Sequence, residues 1–195
     1  MTIFFTSDLH LQHTNIIKYC KRPFENVDVM NESLIAYWNS RVTSQDIVYF
    51  LGDLCLGKDH NSLEHGHMLI RQLRGQKFWI YGNHDHKEQR KAYDQYFQKA
   101  DNLMQITIGD DKIVLCHYPL ARWNADLHGS WMLYGHVHPR DPWFSPYRSC
   151  CVGVDAWGYA PVSYEELKPL MDSRPVMPVG KVYIGDEEDS GHEKE

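Results

Sequence analysis

The stretch "FWIYGNHDHKEQ", residues 78–89, brings an apolar and aromatic run to Gly82. It then sets an amide, an imidazole and a carboxylate side by side at Asn83, His84 and Asp85. A short run rich in β-branched and aromatic residues that stops at glycine reads as a buried strand. The same grammar recurs in "TIFFTSD" (2–8), "DIVYFLGD" (46–53), "KIVLCHY" (112–118), "WMLYGHVH" (131–138) and "CCVGVD" (150–155).

Helical spacing fills the gaps between the early runs. Met30, Leu34, Ile35, Trp38 and Val42 recur on one helical face. So do Leu63, Ile70 and Leu73, with Asn61 as N-cap, Glu64 three residues on and Gly75 as the stop. A third helix is expected over residues 87–98, and a hairpin over 104–116 turning at Gly109-Asp110-Asp111. Strands alternating with helices predict an α/β fold with a mostly parallel early sheet. The closer spacing of the later strands favours a layered sandwich with more than one sheet. One domain is expected over residues 1–184. The segment "GDEEDSGHEKE" (185–195) is acidic, lacks an apolar anchor and reads as a mobile tail. "RDPWFSPYRS" (140–149) reads as a loop beside the strand ends.

Composition excludes several classes. The chain has 195 residues, 43% of them hydrophobic, enough for a sizeable core. Its net charge of −6 argues against a broad basic surface for extended duplex nucleic acid. Local cations such as Lys18, Lys21 and Arg22 remain available for one or two phosphates. The five cysteines, Cys20, Cys55, Cys116, Cys150 and Cys151, form no CxxC pair and no even-numbered framework, which fits a reducing cytoplasm. The N-terminus meets Asp8 too early for a signal peptide, and no apolar run is long enough to span a membrane. Twelve histidines direct attention to metal sites.

The polar residues that end these runs share one chemistry. Asp8 and His10 follow the first, Asp53 the second, Asn83 and His84 the third, His117 the fourth, and His136 and His138 the fifth. The carboxyl ends of strands in α/β sheets form the usual ligand crevice. Asp, Asn and His supply oxygen and nitrogen donors suited to manganese, iron, zinc or nickel. Gly52, Gly82 and Gly135 each precede a donor, where the missing Cβ permits close backbone approach. Alone, a D-x-H or a G-D usually marks an ordinary turn. All of these blocks in this order, at successive strand ends, are hard to attribute to turns.

The series Asp8-x-His10, Gly52-Asp53, Gly82-Asn83-His84-Asp85, His117 and Gly135-His136-x-His138 resembles the calcineurin-like metallophosphoesterase superfamily. "SDLHLQHTNIIKYCKRPF" (7–24) and "GVDAWGYAPVS" (153–163) resemble its compact phage- and bacteria-type branch. The resemblance implies a four-layer sandwich of two mixed β-sheets flanked by helices, with two divalent metals about 3.5–4 Å apart. By the same resemblance Asp8, His10, Asp53 and His138 hold one ion, and Asp53, Asn83, His117 and His136 hold the other. Asp53 bridges them, while His84 faces the scissile phosphate as the catalytic residue.

The resemblance implies a metal-dependent phosphoesterase, with manganese the foremost metal. The Gly52-Asp53 block continues as Leu54-Cys55-Leu56-Gly57, without the D-R-G arginine of the protein phosphatases. A diester therefore suits the site better than a dianionic monoester, and the expected substrate is small or nucleotide-like, nucleic-acid ends included. The alternatives are a monoesterase or pyrophosphohydrolase with the same site, a nuclease, and a non-catalytic protein-binding module on this fold. His13, Asn15, Arg22, Tyr118 and Arg122 are candidate substrate contacts. Cys116 reads as packing, and His60, His65, His67, His86, His128 and His192 as surface or cap residues.

Overall fold

Neighbouring residues of one strand point to opposite faces, and here both faces find apolar cover. In the computed structural model, which describes residues 1–139 and 146–180, β1 (Ile3–Thr6) sends Phe4 to one core and Phe5 to another. In β2 (Ile47–Phe50) Val48 and Phe50 enter the first core, and in β3 (Gln76–Ile80) Trp79 enters the first and Ile80 the second. This two-sided burial explains why the runs are continuously apolar rather than alternating.

The first sheet has the order β4-β3-β2-β1-β9, with β4 at Lys99–Asp101 and β9 at Val162–Ser163. Its first four strands are mutually parallel, and β9 is antiparallel to β1. The second sheet has the order β5-β6-β7-β8: β5 Leu103–Ile108, β6 Asp111–Cys116, β7 Trp131–Tyr134 and β8 Ser149–Cys151. Here β5 is antiparallel to β6, and β6, β7 and β8 are parallel. The two mixed sheets face each other across the second core, where Phe5, Leu51 and Ile80 meet Ile113, Leu115, Trp131 and Leu133.

Helices cover the first sheet: α1 (Thr14–Tyr19), α2 (Val27–Arg41), α3 (His60–Ile70) and α4 (Lys87–Tyr93). The α2 face expected from spacing is buried throughout, Met30 to Val42. Leu167 and Met171 of α5 (Tyr164–Asp172) join the inter-sheet core. The outer face of the second sheet is covered by Leu120, Trp123 and Met177.

Several local expectations are corrected. The N-cap of α3 is Asp59, not Asn61, because its carboxylate accepts the Ser62 amide in the first turn. The helix expected over 87–98 ends at Tyr93 and gives way to a 3-10 turn at Asp94–Tyr96. The hairpin turns on Gly109 and Asp110 alone, since Asp111 already pairs with Ile108. β4 and β9 carry no apolar periodicity of their own and owe their place to the edges they pair with. The tail at 185–195 and positions 140–145 of the expected loop lie outside the described residues. Among the described residues, no helix is long and apolar enough to cross a membrane.

Candidate active site

Parallel strands end on the same side, and that side gathers the donors. β1 leads to Asp8 and His10, β2 to Asp53, β3 to Asn83 and His84, β6 to His117, and β7 to His136 and His138. The loops after β1 and β2 are joined by backbone bonds: Asp8 N donates to Gly52 O at 2.9 Å, His10 N to Asp53 O at 2.9 Å and Leu11 N to Leu54 O at 3.0 Å. Ser7 N donates to Val152 O at 3.1 Å and so ties the second sheet to the first.

Backbone conformation at the donors is unusual. Asp8 (φ 60°), His10 (51°), Asp53 (59°), His136 (74°) and His138 (46°) all occupy the left-handed region. Each such residue costs on the order of 1 kcal/mol, and the surrounding structure must hold it there. Two glycines permit the crowding. A Cβ on Gly52 would lie 2.6 Å from both Gly82 N and His117 Nδ1, and one on Gly82 would lie 2.2 Å from Asp53 Oδ1.

The side chains then converge. His10 Nε2 lies 3.2 Å from His138 Nε2, 3.4 Å from Asp53 Oδ2 and 3.9 Å from Asp8 Oδ1. His138 Nε2 lies 3.8 Å from Asp8 Oδ1. On the other side, Asn83 Oδ1 is 2.9 Å from His117 Nε2 and 2.8 Å from His136 Nδ1, while His117 Nε2 is 3.5 Å from Asp53 Oδ2. Asp8, His10 and His138 form one group of donors within 4.8 Å of one another, and Asp8, Asp53 and His117 form a second. Oxygen and imidazole donors crowded in this way suit divalent cations.

Hydrogen bonds fix which nitrogen each ring presents. His117 Nδ1 donates to Leu51 O at 2.7 Å, so Nε2 offers its lone pair. His138 Nδ1 donates to Asp155 Oδ2 at 2.8 Å, with the same result. Asp155 in turn is held by Arg22, through Nε at 2.8 Å and Nη2 at 2.9 Å. A carboxylate behind a histidine orients the ring and raises its basicity as a ligand. Burial alone would lower His138, but the Asp155 bond, the Cys20 thiol and the Asp8 charge together outweigh it and raise the group to about 10. Burial holds His10 well below the ordinary imidazole range. Burial also pushes Asp53 up to about 6, against the pull of His117 and the His84 amide. A buried carboxylate that the protein alone stabilises poorly as an anion is a natural ligand for a cation.

The remaining candidates fall in different places. The His84 amide donates to Asp53 Oδ1 at 2.8 Å, and its ring lies 5.3 Å from that of His10 and 6.1 Å from that of His13. His13 Nδ1 stands 3.3 Å from His10 Nδ1, beside the donors. Tyr118 is 44% exposed and rests against His117 and His136 at centroid distances of 5.1 and 4.7 Å. Asn15 is exposed on α1.

Two arginines have other partners. Arg22 is 4% exposed and spends its guanidinium on Asp155, Asp8 O and Leu9 O, which corrects its reading as a substrate contact. Arg122 pairs with Asp126. Asp85, at 1% exposure, serves the loops rather than His84: it accepts from Asp53 N (2.8 Å), Leu54 N (3.0 Å), Gly82 N (2.7 Å) and Trp79 Nε1 (3.3 Å). Asp155 was not anticipated. The signal was present, since "CCVGVD" also ends at a carboxylate past a strand.

A buried cluster of carboxylates and oriented imidazoles at the shared edge of two mixed sheets belongs to a metal-dependent hydrolase. Residues 1–146 match the model of the calcineurin-like phosphoesterases, and the chain belongs to that family. It is 36% identical over 180 residues to Uncharacterized protein MJ1445 of Methanocaldococcus jannaschii, covering 90% of this chain and 94% of the relative. Gene 66 protein of Mycobacterium phage L5 is 28% identical over 201 residues, with 86% and 93% covered. The fold resembles that of the protein of unknown function AQ665 from Aquifex aeolicus, with a TM-score of 0.70 at 23% identity, covering 87% of this chain and 98% of that one. The family implies divalent metal ions, and the donor groups described above fit them.

Proposed function

We propose that the chain is a dinuclear phosphodiesterase of the reducing cytoplasm, acting on a small or nucleotide-type substrate, with manganese as the foremost metal. The observation that carries this reading is the place of Asp53 Oδ2 between the two sides of the cluster, 3.4 Å from His10 Nε2 and 3.5 Å from His117 Nε2. Asp8, His10, Asp53 and His138 would hold one cation, and Asp53, Asn83, His117 and His136 the other. Two such cations, when bound, neutralise phosphate oxygens and make water acidic enough to serve as a nucleophile.

The chain's own groups supply the rest. Asp155 and Leu51 O fix the tautomers of His138 and His117. Asn83 and the histidines contribute no negative charge, so the site keeps its attraction for anions. The His84 ring, half-buried and placed by its amide bond to Asp53, can give a proton to the departing oxygen. Beyond Asp53 the chain runs into buried Leu54 and Cys55, and Arg22 is turned inward to Asp155. Neither place offers a cation for the second charge of a monoester, which supports a diester substrate.

The test is a metal-by-substrate matrix on protein stripped of metal. It includes bis(p-nitrophenyl) phosphate, p-nitrophenyl phosphate, cyclic nucleotides and short oligonucleotides. Diester turnover that returns with manganese is expected. Faster turnover of monoesters than of diesters across all metals would overturn the diester reading.

A further inference from the structure

We infer that the hollow beside Asn83 is a subsite for a nucleoside and a second phosphate, so that the substrate is a short nucleotide bearing an anionic group beyond the scissile one. This rests on the phosphoesterase reading above. The hollow measures about 530 Å³ and is lined by Tyr81, Asn83, Lys87, Arg90, Asn102 and Tyr118, among others. That volume falls within the usual range for small-ligand sites. Asn83 belongs to the donor cluster, so a molecule whose phosphate sits there can extend into the hollow.

Its chemistry has two parts. The first is a pair of cations with no ion-pair partner among the described residues, in a chain of net charge −6; the carboxylate on the same wall, Asp85, spends its oxygens on backbone amides. Ion pairs among the described residues employ Arg22, Arg41, Arg122 and Lys168, and leave Lys87 and Arg90 without a carboxylate partner. Arg90 is held in place: its guanidinium carbon lies 4.1 Å from the Tyr81 ring centroid, and its Nε donates to Asp85 O. Its terminal amino groups remain, with the fork geometry that suits a phosphate. Lys87 adds a point charge on the same wall.

The second part is an aromatic surface. Tyr118 is braced by His117 and His136 yet remains 44% exposed, a stacking platform for a base. The side-chain amide of Asn102 supplies both a donor and an acceptor for the base or sugar. A cyclic mononucleotide or a simple diester would use the platform but leave the two cations unanswered.

The experiment compares manganese-loaded protein on dithymidine monophosphate with and without a terminal phosphate. The phosphorylated form should be favoured about ten-fold in kcat/KM, through KM, as expected for a charge-assisted contact. That ratio should fall toward one in Lys87→Ala and in Arg90→Gln, with Lys87, exposed on α4, the variant least able to disturb the fold. Calorimetric binding of thymidine 3′,5′-bisphosphate against thymidine 5′-monophosphate should show the same preference without turnover, and the same loss.

A wild-type ratio near one in both assays overturns the subsite. So does a ratio untouched by both substitutions. An equal loss on p-nitrophenyl phosphate places the cations at the scissile phosphate and also overturns it. Absence of any turnover of both bis(p-nitrophenyl) phosphate and p-nitrophenyl phosphate removes the phosphoesterase reading instead, and the binding assay then decides the subsite by itself.

Discussion

Asp155 Oδ2 lies 2.8 Å from His138 Nδ1, and the same carboxylate is clasped by the buried guanidinium of Arg22. Residues from the loop between α1 and α2, the β7 loop and the β8 loop thus meet in one chain of charge that ends at the His138 ring, whose Nε2 faces His10 and Asp8. Asp155→Asn keeps the volume but weakens both bonds. Manganese affinity should fall about 10–100-fold, the usual cost of losing a group behind a ligand. Titration calorimetry on stripped protein measures it, and unchanged affinity would remove Asp155 from the site.

Asp53 and Asp8 should differ. Asp53 Oδ2 lies within 3.4 Å of His10 Nε2 and 3.5 Å of His117 Nε2, one from each side of the cluster. Asp53→Asn should therefore reduce occupancy at both positions, while Asp8→Asn should spare more of the second. Elemental analysis after manganese reconstitution should approach two equivalents in wild type. Equal residual occupancy in the two variants would count against a bridge.

His84 reaches Asp53 through its backbone amide, which no side-chain substitution removes. His84→Ala should leave metal content nearly unchanged while kcat falls about 10²–10⁴-fold, as for loss of general acid help. The deficit should be small for a p-nitrophenyl leaving group and larger for a nucleoside. An identical deficit with both would make the ring a stabiliser of phosphoryl charge.

Asp85 holds the fold from inside the Gly82-Asn83-His84-Asp85 block. Asp85→Ala strips three buried backbone amides and an indole of their acceptor, and each orphaned donor costs about 1–3 kcal/mol. A loss of at least about 3 kcal/mol in urea unfolding is expected. A change under about 1 kcal/mol would mean that the loops hold without it.

Asp46 gives a pH signature remote from the site. The Thr2 amide, then the Thr43 hydroxyl and amide, hold its carboxyl below the ordinary range. A depressed folded-state value stabilises the protein above the unfolded value of about 3.9 and is lost as pH falls through the folded one. The stability gap between wild type and Asp46→Asn should be widest near neutrality and shrink in acid. A gap independent of pH would rule out this linkage.

The strand runs and the order of the donors are legible in the sequence alone. Periodicity and residue chemistry are local properties, and each block from Asp8 to His138 announces itself at the end of an apolar run. The edge strands Lys99–Asp101 and Val162–Ser163 were illegible because pairing with a formed sheet, not their own pattern, makes them strands. The roles of Asp85, Arg22 and Asp155 emerge only where distant segments meet. Asp85 shares a motif with His84 yet bonds residues some thirty positions away, and Arg22 meets its carboxylate across a separation of 133. The left-handed backbone at Asp8, His10, Asp53, His136 and His138 belongs to the same class. No local preference selects it, and it persists because hydrogen bonds from distant segments hold each residue where isolated chain chemistry would not.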